Sequence, residues 1–164
     1  MKNKKALSSV VTAVILIAIT IAAVAIVATM INSFVKERLD KGKSCYDIIG
    51  KVQVNEEFTC YNATGKYAQV SLSLGQISPA KVIVGLMYDN DSRVYSIYAE
   101  NKTIPGVTNY PLNTTGVKLP SEESGKTYIM SDIESKPVRI QVAPMMGETQ
   151  CEVIDTLTPV DNCN

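Results

Sequence analysis

The chain has 164 residues, with 16 basic and 16 acidic side chains and no net charge. That balance lacks the basic surplus by which nucleic-acid binders hold phosphates, so no nucleic-acid partner is expected. There is no His and no Trp. The missing His removes the commonest general base and metal ligand, and with it any Ser/His/Asp or Cys/His arrangement.

Residues 1–6 form a short basic leader containing Lys2, Lys4 and Lys5. From 6 to 35 there is no charged residue, and 10–31 hold only Val, Ile, Leu, Ala, Thr and Met. A bilayer core needs about 20 such residues as a helix, and helices of globular domains rarely stay uncharged for so long. The expected helix covers 7–41, about 52 Å at about 1.5 Å per residue. Ala18, Ala22, Ala25 and Ala28 recur at helical spacing, and small residues let helices approach closely in lipid. Val10, Val14, Ile17, Ile21 and Val24 make a bulkier stripe. In the last turns Ile31, Phe34, Val35 and Leu39 stay apolar while Asn32, Lys36, Glu37 and Arg38 are polar. Gly42 is the expected C-cap, because it adopts the left-handed conformation freely.

Beyond the helix the pattern changes to a period of two. Ala68, Val70, Leu72 and Leu74 alternate with Gln69, Ser71 and Ser73. Val82, Val84, Leu86 and Tyr88 share a face, as do Val138, Ile140 and Val142. Weaker strands are expected at 48–54, 94–99, 117–119, 127–130 and 152–157, with turns at 75–79, 89–92, 105–106, 120–125 and 144–147. Short strands with regular turn signals indicate a β-sandwich or barrel. The expected fold class is α+β: a long apolar N-terminal α-helix followed by an all-β, immunoglobulin-like sandwich over 42–164.

All four cysteines, Cys45, Cys60, Cys151 and Cys163, follow the apolar run. With no C-x-x-C pair to suggest zinc, they read as two disulfides in an oxidising compartment. Local pairing, Cys45–Cys60 and Cys151–Cys163, needs the least coincidence of fold. Each such loop of about 15 residues is worth about 3 kcal/mol in the chain-entropy model. The alternative is that the two ends of a sandwich meet. Sequons at Asn62, Asn90, Asn101 and Asn113 make these four asparagines glycosylation candidates and lie on the cysteine side. Cysteines and sequons together orient the chain, with the N-terminus in the cytoplasm and the β-rich part outside.

The segment Lys4-Lys5-Ala6-Leu7-Ser8-Ser9-Val10-Val11, running into Thr12-Ala13-Val14-Ile15, resembles the class III signal of archaeal type IV pilins and archaellins. In that family a prepilin peptidase cuts just ahead of the apolar stretch, and the helix stays on the mature protein as filament core. The resemblance implies that Lys4 and Lys5 are the charged pair, that Ala6 precedes the cut, and that Leu7 becomes the new N-terminus. Where bacterial pilins carry a glutamate this chain has Val11, which points to the archaeal branch. Around the cysteines, Ser44-Cys45-Tyr46-Asp47, Phe58-Thr59-Cys60-Tyr61 and Gln150-Cys151-Glu152-Val153 are similar to archaeal pilin-like segments with two disulfides.

The resemblance implies a structural subunit of a type IV pilus-like surface filament rather than an enzyme. Its partners would be copies of itself, the prepilin peptidase, the assembly machinery, and the cytoplasmic membrane before assembly. An uncleaved, signal-anchored cell-surface binding module is the alternative, and cleavage after Ala23-Val24-Ala25, leaving Ile26 first, is another. No cofactor, metal or catalytic residue is expected. Asp89-Asn90-Asp91-Ser92 reads as a polar turn rather than a calcium loop, and the pairs Glu56-Glu57 and Glu122-Glu123 as solvated surface.

Overall fold

The computed structural model describes residues 4–111 and 116–163. The chain divides into two units, Met1–Lys43 and Ser44–Asn164. One helix, α1, runs unbroken over Lys4–Tyr46, 43 residues, or about 64 Å. It does not stop at Gly42. A glycine permits the left-handed exit without enforcing it, and an interior Gly costs only about 1 kcal/mol against Ala. The four residues that follow contain no proline and carry the helix on. The chain leaves the helix just beyond Tyr46, where Gly50 takes φ 76°. There the Ile49 N–H donates to the Tyr46 carbonyl and the Lys51 N–H to the Ile48 carbonyl.

The second unit is built from two sheets. One contains β1 (Val52–Val54), β2 (Cys60–Asn62), β3 (Tyr67–Leu74), β6 (Val107–Asn109), β7 (Ser124–Met130) and β11 (Asp161–Asn162). Its order is β11-β2-β3-β7-β6, with β1 also on β3. The other contains β4 (Lys81–Met87), β5 (Ser92–Tyr98), β8 (Arg139–Met146), β9 (Thr149–Gln150) and β10 (Asp155–Leu157). Its order is β10-β8-β4-β5, with β9 also on β8. Val70 and Leu72 from the first sheet and Val82, Val84, Leu86, Ile140 and Val142 from the second are fully buried in one hydrophobic cluster. Each such side chain contributes about 1.5–3 kcal/mol on burial. The α+β organisation expected from the sequence, a long apolar helix and then a two-sheet β unit, is the one observed.

The disulfides correct the expectation of local pairing. Cys45 joins Cys151 and Cys60 joins Cys163, with Cα–Cα distances of 5.4 and 4.9 Å and sequence separations of 106 and 103. Strand pairing supplies the reason for the second bond. The tail strand β11 lies parallel to β2, with Asp161 opposite Cys60, and the Cys163 N–H donates to the Tyr61 carbonyl at 2.9 Å. Cys151 is buried just beyond β9, where its N–H donates to the Pro144 carbonyl at 3.0 Å. Half-buried Cys45 packs against the same core. The two ends of the sandwich meet, so nearness in sequence does not decide the partner. A loop of about 100 residues is worth about 4.7 kcal/mol in the chain-entropy model, more than either local loop.

Other elements depart in detail. The expected strand at 117–119 is a single bridge, Lys102 to Val117, extended by the Leu119 N–H donating to the Tyr98 carbonyl. Pro144, expected in a turn, lies inside β8 opposite Val82. Val138 stays outside β8 and is about half exposed.

Candidate assembly surface

From Val11 to Lys36 α1 is long and apolar enough to cross a membrane, and none of it is buried. At about 1.5 Å per residue its 26 residues extend about 39 Å, beyond the roughly 30 Å hydrocarbon core of a bilayer. Three hydroxyls in this stretch are satisfied within the helix. Thr20 donates to the Ile17 carbonyl and Thr29 to the Ile26 carbonyl, both at 2.8 Å, and Ser33 to the Met30 carbonyl at 3.0 Å. Such side chains enter a dry environment without leaving an unpaired donor, which would cost several kcal/mol there.

Ala18, Ala22, Ala25 and Ala28 are all exposed on α1. A shallow depression of about 380 Å³ lies beside Ala23 and Ala28, walled by Val24, Val27 and Ile31. Ala23 comes five residues after Ala18, which turns it roughly 140° around the helix. Small residues therefore open α1 on two sides. The series 18, 22, 25 and 28 marks one of them, whereas Ala23 stands outside it. Lys4, Lys5, Ala6 and Leu7 lie in the first turns of α1, and their side chains are outside the described residues.

The sequons differ in setting. Asn62 closes a tight turn: its Oδ1 accepts from the Gly65 N–H at 2.7 Å and its Nδ2 donates to the Tyr67 hydroxyl at 3.2 Å. Asn90 is exposed in the β4–β5 turn. There the Tyr88 N–H donates to the Asp91 carbonyl and the Asp91 carboxylate accepts from the Ser92 N–H. Asn101 is exposed and lies against Gly116, where an added Cβ would fall 2.5 Å from the Asn101 Oδ1. Asn113 falls outside the described residues.

Among the described residues no group of His, Cys, Asp and Glu is placed to hold a metal ion. The side chains whose acid–base behaviour shifts most serve the sandwich. Tyr128 is fully buried, donates to the Lys118 carbonyl at 2.8 Å, and has its phenol pushed well above the usual range by burial. Lys126, whose ammonium lies 6.0 Å from the Tyr128 ring centre, is pushed down by burial and by Lys118. Comparison with protein-family models, curated proteins and solved structures returned no match.

Proposed function

We propose that this chain is a structural subunit of an archaeal type IV pilus-like surface filament, assembled through α1 after removal of residues 1–6. The observation that carries the reading is the surface of α1: 26 consecutive residues, exposed throughout, with no buried face. An anchor needs only enough apolar length to span lipid. A filament core asks for an apolar helix that tolerates several neighbours at once, and small residues on two sides suit that task. Internally satisfied hydroxyls serve a dry core as well as they serve a membrane. The leader resemblance at Lys4-Lys5-Ala6-Leu7 supplies the processing step.

In this mechanism the precursor waits in the cytoplasmic membrane with its β-rich unit outside. The peptidase cuts before Leu7, and helices bundle as copies are added. Mass spectrometry of surface protein tests it. A mature chain beginning at Leu7 is expected, and a Leu7→Asp variant, charged at the start of the apolar helix, should be neither processed nor assembled. A chain that keeps Met1, or begins at Ile26, contradicts the reading; Met1 would favour an anchored binding module.

A further inference from the structure

The strand β5 ends its sheet, and among the described residues no other strand pairs with its outer side. In an antiparallel pair, alternate residues turn their backbone groups toward the partner strand. The Tyr88 N–H donates to the Asp91 carbonyl and the Ala99 N–H to the Ala80 carbonyl. With Val84 opposite Tyr95 in the register, the odd-numbered residues of β5 face β4. Ser92, Val94, Ser96 and Tyr98 therefore turn N–H and C=O outward. Two of these outward groups are occupied: the Ser92 N–H by the Asp91 carboxylate and the Tyr98 carbonyl by the Leu119 N–H. Those of Val94 and Ser96 meet no partner among the described residues.

A groove of about 480 Å³ runs along this edge, between Val94, Ser96 and Tyr98 on one side and Lys102, Thr103 and Pro105 on the other. Val94 is 62% exposed. Sheet edges are usually protected by Lys, Pro, a bulge or a covering loop. Val94 and Ser96 supply none of these, and the loop beside them leaves the groove open.

We propose that this edge takes an extended segment of a second copy of the chain as an added strand, a proposal that rests on the filament reading above. The size of the edge selects the occupant. Val94 and Ser96 offer four hydrogen bonds and Ser92 and Tyr98 one each, and an added strand about 4.8 Å away along about 20 Å of edge makes a contact of roughly 100 Å². That is far short of the roughly 1,200 Å² that a freely diffusing partner needs for a stable complex. Copies already held by their helices meet at high effective concentration, where so short a ladder suffices. Copies in a polar filament are related head to tail, so the added segment comes from a different surface of the neighbour.

The test places a photocrosslinking benzoylphenylalanine at Thr103, an exposed groove position, in the full chain on cells imaged for filaments. Irradiation should give dimers and higher multiples in which mass mapping finds this chain on both sides of the crosslink. Ser96→Pro removes an outward N–H and leaves the β4 ladder intact. It should lower crosslinking about two- to tenfold, the loss of one hydrogen bond, with an unchanged thermal midpoint. Val94→Lys, an edge-protecting charge at an exposed position, should do the same without any backbone change. Filaments with no copy-to-copy crosslink, or crosslinks untouched by both variants, overturn the contact and leave the filament reading standing. Crosslinks between copies on cells bearing no filaments contradict the filament reading while retaining the contact, and the absence of both contradicts both.

Discussion

Burial fixes the protonation of Tyr128. Its hydroxyl donates to the Lys118 carbonyl and has no access to water, so the neutral phenol is strongly preferred. Because the folded pKa lies above the ordinary value of 10.0, the unfolded chain loses this proton first as pH rises. The contribution to stability is complete below pH 10 and disappears as pH climbs through the folded value. Lys126 acts in the opposite sense, since its lowered pKa lets stability rise until the ordinary lysine range is passed. Denaturant unfolding of Tyr128→Phe separates the two. At pH 7 the variant should lose about 1 kcal/mol with the hydrogen bond. Above pH 10 it should lose less stability with each further pH unit than the native chain. Some alkaline loss will remain, because burial also raises Tyr88.

At the scale of elements, β1 and β2 are one strand interrupted. Both pair with β3, β1 at Leu72–Leu74 and β2 at Tyr67–Gln69. Between them a 3-10 turn at Glu56–Phe58 steps away from the sheet. Ser71 would be left unpaired by this excursion, but the Asn55 N–H donates to its carbonyl at 2.8 Å and the Thr59 Oγ1 accepts from its N–H at 3.0 Å. Thr59 is buried. Thr59→Val keeps the shape and strands the Ser71 N–H, so chemical denaturation should show a loss of about 1–3 kcal/mol. Thr59→Ser keeps the acceptor and should cost less.

The same region shows what sequence could and could not reveal. The alternation of Val70, Leu72 and Leu74, and of Val82, Val84 and Leu86, was legible because one face of each strand meets the core. Ser71 reads as solvent-facing by that rule, yet it is buried under the interrupted edge, with its hydroxyl accepting from Thr127 at 3.2 Å. The strands β2, β6, β9 and β11 have two or three residues each, too few for a period to register. The helix was legible from composition alone. Its end was not, because Gly42 carries no information on whether its freedom is used. The Cys60–Cys163 pairing was hidden for a related reason, since it depends on a two-residue parallel strand. Of the candidate site, the apolar length and one Ala series could be read, whereas the depression beside Ala23 and the free β5 edge required coordinates.

At the scale of the molecule, the two disulfides bind the C-terminal part to Cys45 in the last turn of α1 and to Cys60 in β2, so the β-rich unit cannot peel from either end without breaking a covalent bond. The helix carries the assembly claim. Ala22→Leu and Ala25→Leu keep α1 hydrophobic, so membrane insertion should survive. At the contact proposed for α1 they would add bulk, and overpacking a fitted contact costs about 1–3 kcal/mol, a penalty that a filament would repeat at every copy. The double variant should reach the membrane and be cut normally yet yield few filaments. Ile17→Leu, which conserves volume, should be milder. Wild-type filament yield from the double variant would remove this face from the assembly contact.

The most direct measurement is electron microscopy of surface filaments from cells with and without the chain, with the protein composition of the purified filaments determined in parallel. The chain should be a component of the filaments, which should be lost or altered without it and return when the native sequence is restored. Indistinguishable filaments in both cells, with the chain confined to the membrane fraction, would contradict it.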